Sequence, residues 1–499
     1  MPEASYDIVI IGSGAGGGTV AQALAPLCRD GVRIAVLEAG PRLAEEEYTG
    51  RELEMARKLY FDDGGFLTAE GTMTLAFARA LGGSTVVYTG TSLTIPQRTV
   101  ERWGVPGLDW DDLRHRSERY VGENNVHLLE DHDINDNNRL FREGCRALGY
   151  RVQQFPVNLK GCKGSGMCNL GCPNAAKQGT LRVQLPAAER GGVEIVTNCR
   201  VETIGERSCT ATVANPSFGL PSAWEPGRYT IRAKVVVVAA GAVNSPALLL
   251  RSRLPVRLPA LGRYFTAHPA LILVGQHDHA ITNYYGHPKS YYCDEFADDG
   301  FLLETCMYFP FTTAKNLAGF GPEHSALMRH MDRLQMILVL ATDPALAENR
   351  VTVDRDGEPV VHYAFTEGVR RALVQSMRVS ARIFFAAGAR RVHAPAGRTF
   401  LIEREEAGRL DELITLDRLK LGKVSVSSAH LMGGCRMGTD AQSSVTDVWG
   451  QVHGVPWLFV ADASLFPASA EINPYLTIMA FADRVAERVR AEAPELLAS

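Results

Sequence analysis

The chain has 499 residues, 46% of them hydrophobic and 22% charged, which is ordinary for a globular protein and too long for one simple core. Its formal net charge is −4 and it carries no basic block, so nucleic acid is not an expected partner. Its longest apolar runs, such as Val235–Val243, are strand-sized, so no transmembrane segment is expected. The first strand begins at residue 6, leaving no room for a signal peptide, and ten cysteines do not suggest a disulfide framework; a cytoplasmic enzyme is expected.

Five of the six residues Tyr6–Ile11 are apolar or aromatic, as suits a buried parallel strand. Gly12, Gly14 and Gly17 follow as G-x-G-x-x-G. A helical run, Thr19–Leu27, and a second apolar strand, Val32–Leu37, come next, and the second strand ends in Glu38. This strand–turn–helix–strand context is that of a dinucleotide site. Gly12 permits the tight turn, Gly14 lets a pyrophosphate approach the backbone beside Ala15, and Gly17 lets helix and strand pack closely. The free N–H groups and dipole at the helix start favour the anion. Glu38, 21 residues after Gly17, is placed to accept from ribose hydroxyls. The motif alone does not separate a flavin from a nicotinamide dinucleotide.

The segment Ala78–Tyr88 contains Gly82-Gly83-Ser84-Thr85, where small residues let backbone approach a flat ligand and hydroxyls supply polar handles. Here the chain resembles the glucose–methanol–choline (GMC) flavin oxidoreductases. Ala78, Arg79, Leu81, Gly82, Gly83, Ser84 and Thr85 match that family's first signature, and Tyr88 stands where the family usually has Asn or His. Residues 101–150 read as helices with charged faces.

Cys162, Cys168 and Cys172 then lie within 11 residues, in a loop with five glycines between Gly161 and Gly179. Thiolates so close can ligate zinc or an iron–sulfur cluster, although no fourth ligand for a closed zinc site is nearby. Within the family the loop is similar to that of long-chain alcohol oxidases, through Gly171-Cys172 and Ala176-Lys177-Gln178-Gly179-Thr180. It is also similar to bacterial sugar dehydrogenases that carry a 3Fe-4S cluster, which would make the three cysteines cluster ligands. A thiol-rich structural loop is the other reading.

Val193–Glu202 reads as a strand, in which the resemblance puts the Val201 backbone at the adenine. Residues 205–230 read as a hairpin, and Lys234–Gly241 as a buried strand ending in glycine. A helix follows, with Ser245 near its start and Pro246 in its first turn. This matches the family's second signature through Leu249 and Ser252 and departs from it at Arg253 and Pro255. His268, in Gly262–Pro269, reads as a packed structural histidine.

In the last 75 residues His430 precedes a glycine-rich turn, a strand ends in Asp462, and Asn473-Pro474 opens a final helix over about Ile478–Glu492 that stops by Pro494. By resemblance to the family's C-terminal region, Asp462, Ala463 and Pro474 lie against the flavin, and His430 and Asn473 flank its ring. The chemistry suits such a pair. A histidine takes the alcohol proton, and an amide holds the same oxygen so that the C–H points at flavin N5.

The resemblance implies an α/β fold: a Rossmann-like FAD-binding domain (1–100, 190–275 and 425–499) with a sheet-plus-helices substrate-binding domain (101–189 and 276–424). It implies FAD-dependent oxidation of an alcohol or sugar CH–OH group, with oxygen or an electron carrier as acceptor. A cluster in the cysteine loop would favour the carrier. A cyanohydrin-type lyase on the same fold and a nicotinamide enzyme are the rival readings.

Overall fold

Valine- and isoleucine-rich runs with no polar alternation are strands buried on both faces, and they form the first sheet. The computed structural model of the protein describes residues 2–498 except Arg253 and Thr282, so the departure at Arg253 lies outside the described residues. In this sheet the strand Glu3–Ile11 lies between Ile34–Leu37 and Gly227–Val238, parallel to both, and Glu194–Val196 pairs beyond Ile34–Leu37. The long strand Gly227–Val238 is shared. Its first half pairs antiparallel with Ser208–Val213, and its last residues, Val236–Val238, pair parallel with Leu458–Val460. The strand read over Val193–Glu202 is two, Glu194–Val196 and Cys199–Gly205, parted where Asn198 adopts φ 53°.

The second sheet is built on alternation. Ala270–Gln276, Leu334–Ala341, Phe301–Thr305 and Tyr291–Cys293 pair antiparallel in that order. Leu271, Leu273, Ile337 and Val339 point to one face, into the core that contains Met377, Ile383 and Phe384 of the helix Glu367–Ala386. Their neighbours Ala270, Ile272, Leu338 and Leu340 point to the other face, which is left for a cavity. Ala270–Gln276 belongs to this second sheet, as do Thr74–Leu75 and Ser427–Ser428, so the boundary expected at 275 falls inside one of its strands.

Two helix readings need correction. Pro246 sits inside the helix Gly241–Arg251, in its second turn rather than its first, because the helix starts directly at the glycine that ends the strand. The final helix runs Tyr475–Ala498, straight through Pro494. Near a helix end a proline forfeits one bond, and buried Leu496 holds the last turn on the core. The helix Trp110–Glu123 anchors the final helix. Arg116 pairs with Asp483 at 2.6 Å, Arg484 with Asp112 at 2.5 Å, and Tyr120 donates to Asp483 at 2.7 Å. No helix among the described residues is long and apolar enough to cross a membrane.

Candidate functional site

Four parallel strands of the first sheet end at one cavity of about 530 Å3. Gly12 follows the first strand, Glu38 the second, Ala239-Ala240-Gly241 the long one and Asp462-Ala463 the last, and all line it. A crevice outside the carboxyl ends of parallel strands is where α/β sheets bind ligands.

The glycines divide by role. A Cβ on Gly12 would lie 2.4 Å from Ala239 O, and one on Gly17 would lie 2.0 Å from Gly12 O, so both serve close packing of helix and strand. A Cβ on Gly14 would meet only Gly83 Cα, at 3.8 Å, so Gly14 presents bare backbone to the cavity together with Ala15. Gly83, Ser84 and Thr85 also line the cavity; Gly17 and Gly82 lie behind it. Gly82, at φ 95°, forms the turn, and its N–H donates to Ser13 Oγ at 2.9 Å. Thr85 donates to Gly82 O at 2.7 Å.

Glu38 is buried and already accepts three bonds, from Ser13 N, Ser13 Oγ (2.5 Å) and Gly40 N (2.7 Å). A carboxylate has about four acceptor positions, so one remains for a ribose hydroxyl. Burial raises the pKa of both Glu38 and Asp462. Asp462 ties two strand ends together, accepting from Gly241 N at 2.8 Å, Ser245 Oγ and Ser464 N at 2.7 Å. Val201 lines the cavity, and its carbonyl also accepts from Arg251 at 2.9 Å. This cradle of bare glycine backbone, with one carboxylate position left and an elongated cavity running on to a polar end, fits a flavin dinucleotide.

At that polar end stand His430, Asn473 and Pro474. The histidine is set by strand pairing. Thr266–Ala267 runs antiparallel to Leu431–Met432, with Ala267 opposite Leu431, so His268 falls opposite His430. The two rings meet edge to face, with His268 Nδ1 3.0 Å from His430 Nδ1. His268 Nε2 lies 2.7 Å from Ser469 Oγ, and Asn473 Nδ2 lies 3.3 Å from His430 Nε2. The amide nitrogen only donates, so His430 Nε2 carries a lone pair and the His430 proton sits on Nδ1. His268 Nδ1 accepts that proton's hydrogen bond, and His268 Nε2–H donates to Ser469. Burial, then the neighbouring His268 and then Lys289, hold the His430 pKa well below its usual value. Burial lowers that of His268 to about 4. Both rings are therefore neutral near pH 7, and the lone pair of His430 Nε2 is held by the Asn473 amide.

Asn473, expected both at the start of the final helix and beside His430, turns its amide to His430, and its Oδ1 is buried without a hydrogen-bond partner. An orphaned oxygen beside a basic nitrogen is a place for a ligand hydroxyl. His268 was read as packing alone. It is fully packed, at 2% exposure, and it also orients His430. The antiparallel register that joins them is a long-range pairing that local sequence does not display. Tyr88 lines the cavity, with its ring 4.9 Å from that of Tyr475 and its hydroxyl accepting from Asn158.

Of the two readings of the cysteine loop, the geometry supports the structural one. Cys162 is exposed while Cys168 and Cys172 are buried, and among the described residues no group of three His, Cys, Asp or Glu side chains is placed to hold a metal ion. The residues present do not fit a 3Fe-4S cluster. The loop is pinned by Lys177 instead, whose buried ammonium donates at 2.6 Å each to the carbonyls of Cys168, Val86 and Tyr88. That ties the loop to the cavity-lining segment after Thr85.

Sequence models of the GMC oxidoreductases, N-terminal and C-terminal, match residues 7–270 and 345–482. A GMC-type oxidoreductase of Mycobacterium tuberculosis is 33% identical over 97% of this chain and 76% of its own length. A long-chain-alcohol oxidase of Arabidopsis thaliana is 26% identical, over 97% of this chain and 67% of its own. A 6'''-hydroxyparomomycin C oxidase of Streptomyces lividus is also 26% identical, over 97% and 91%. Among solved structures, pyridoxine 4-oxidase from Mesorbium loti superposes with a TM-score of 0.72 at 18% identity, covering 97% of this chain and 99% of that one. A formate oxidase of Aspergillus oryzae superposes with a TM-score of 0.71 at 16% identity, covering 99% and 100%. The fold is thus that of these oxidases, and the chain belongs to the GMC oxidoreductases, a family of FAD-binding enzymes.

Proposed function

We propose that the protein binds FAD and oxidises the CH–OH group of an apolar alcohol to a carbonyl, with His430 as the base. The observation that carries this reading is the chain Asn473–His430–His268–Ser469, which leaves His430 Nε2 unprotonated and paired only with the amide of Asn473, both residues lining the cavity. FAD would be held by Gly12, Gly14, Ala15, Glu38, Gly83, Ser84, Thr85, Val201, Asp462, Ala463 and Pro474, and when bound it supplies the hydride acceptor.

The chain's own residues do the rest. The alcohol enters between the two side chains: its hydroxyl takes the place of Asn473 Nδ2 at His430 Nε2, and Asn473 Nδ2 then donates to the alcohol oxygen, so both bracket one oxygen. As the O–H bond breaks the proton passes to Nε2, and His430 becomes an imidazolium still tied through Nδ1–H to His268. His268 stays neutral, because two adjacent charged rings would repel and its own pKa is about 4. Fixing the oxygen between two side chains fixes the direction of the C–H bond, the orientation term of catalysis.

The remaining wall supports an apolar substrate. Ile272, Leu338, Leu340, Phe309 and Phe311 line the cavity beyond this end. Leu53 and Phe311 are exposed at its edge, where Glu52 clasps the helix Pro310–Asn316 by accepting from Phe311 N at 2.9 Å and Thr312 N at 2.8 Å. Relatives named for long-chain alcohols agree with such a wall.

The test is anaerobic mixing of the yellow protein with alcohols of rising chain length and with sugars, followed by air. Apolar primary alcohols are expected to bleach the flavin. Recovery of colour with peroxide identifies an oxidase, and recovery only with an added dye or quinone identifies a dehydrogenase. Absence of bleaching with every alcohol, together with cyanohydrin cleavage, would replace this reading with the lyase.

A further inference from the structure

The apolar part of the cavity wall is broken by a buried ion pair that the chemistry above does not use. Lys289 lines the cavity, and its side chain is 8% exposed. Its ammonium is held by Glu304, on the strand Phe301–Thr305, whose side chain is 0% exposed and does not line the cavity. Lys289 is thus the member of the pair that reaches the cavity wall.

An ammonium has three N–H donors. Among the described residues Glu304 is its only hydrogen-bond partner, which leaves donors for a ligand. The other Glu304 oxygen, Oε1, is buried without a partner. Desolvating two charges costs several kcal/mol per ion, and a well-packed apolar pair is often no less stable, so packing alone does not account for the pair. Its position does. Lys289 follows Pro288 into the same cavity that His430 and Asn473 line, and its field reaches the His430 ring. The ionisable groups that act on that ring are His268, paired to it, and Lys289, which is itself paired with Glu304.

We propose that Lys289 is the counter-charge for the substrate oxygen, donating to it from the cavity wall while His430 takes its proton and Asn473 holds it. This rests on the alcohol-oxidation reading above. In that reaction the hydroxyl proton goes to His430 Nε2, the carbon-bound hydrogen leaves as hydride to the bound flavin, and the C=O bond forms. Negative charge builds on the oxygen to the extent that the proton leaves before the hydride. A desolvated ammonium stabilises that charge at the moment it forms. The ligand class is a single small oxyanion, an alkoxide in turnover and a small carboxylate at rest.

The probe is acetate, titrated into the flavin-loaded protein and followed by the visible flavin spectrum and by the melting temperature. Wild type is expected to bind it in competition with alcohol. Lys289→Met is expected to weaken acetate binding by about 10- to 100-fold, the range for a lost hydrogen bond to a charged group, and to slow flavin reduction by a similar factor. Lys289→Arg, which keeps the charge, should restore acetate binding. Should Lys289→Met not fold because Glu304 is stranded, the pair Lys289→Met with Glu304→Gln removes both charges and gives the same readout. Acetate that does not bind wild type, or binds it and the uncharged variants equally, would overturn the proposal. Lysine-dependent acetate binding in a protein that no alcohol reduces would keep the oxyanion site and discard alcohol oxidation, so the two failures are distinct.

Discussion

Replacing His268 with alanine isolates the orienting hydrogen bond from the base itself. His268 is 2% exposed, does not line the cavity, and accepts the only hydrogen bond that His430 Nδ1–H makes among the described residues. Removing it leaves a buried N–H without a partner, a cost of about 1–3 kcal/mol. The ring escapes that cost by moving its proton to Nε2, where Asn473 Oδ1, now without a partner, can accept it. In that tautomer His430 has no lone pair facing the alcohol. At about 1.4 kcal/mol per factor of ten, flavin reduction should fall roughly 5- to 150-fold, with flavin content unchanged. The assay is anaerobic stopped-flow reduction by the best alcohol at pH 8. His268→Asn returns an acceptor oxygen near the lost Nδ1 and should recover much of the rate. A His268→Ala protein that reduces at the wild-type rate, or a His268→Asn protein no faster than it, would refute the tautomer argument.

The two roles found among the glycines separate in the same way. Gly16→Ala drives a Cβ to 1.8 Å from Ala461 O and is expected to abolish folding, whereas Gly14→Ala meets nothing closer than 3.8 Å and should fold normally but release its flavin; equal flavin retention by Gly14→Ala and wild type would contradict a pyrophosphate at Gly14. Acid should destabilise the fold between about pH 6.5 and 4. Burial lowers the pKa of His268, His287 and His393 to about 4, so unfolding takes up protons in that window and the melting temperature falls with pH. Asp343, which burial raises to about 7, opposes this, because its folded form holds a proton that the unfolded form releases. Asp343→Asn should therefore steepen the acid fall in a calorimetric scan, and a shallower fall would mean that the Asp343 sign is reversed.

The parts legible in the sequence were those that local chemistry dictates. A run of valines and isoleucines before G-x-G-x-x-G can be little else than a buried strand entering a ligand turn, and two polar residues at strand ends, Glu38 from the motif and Asp462 from the family resemblance, both line the cavity. The less legible parts depend on partners far along the chain. His268 and His430 are 162 residues apart and meet only through the pairing of Ala267 with Leu431. Lys289 and Glu304 look like two unremarkable charges until the strand Phe301–Thr305 pairs with Tyr291–Cys293, just after Lys289, and buries them together. The cysteine loop left two readings open for a related reason. Close spacing suggested a shared ligand, but burial divides the three thiols, and Lys177 takes the carbonyl of Cys168 for a purely structural tie. Asn473 stands two residues before the helix Tyr475–Ala498; its amide nitrogen goes to the imidazole and its Oδ1 makes no cap bond.

The central claim is that His430 takes the alcohol proton. It is tested most directly by anaerobic single-turnover reduction of flavin-loaded His430→Ala beside wild type, with the alcohol that bleaches wild type fastest. A loss of roughly 100- to 10,000-fold is expected, the range for a missing general base, with flavin content and melting temperature near those of wild type. Reduction of the alanine variant at close to the wild-type rate would contradict the account.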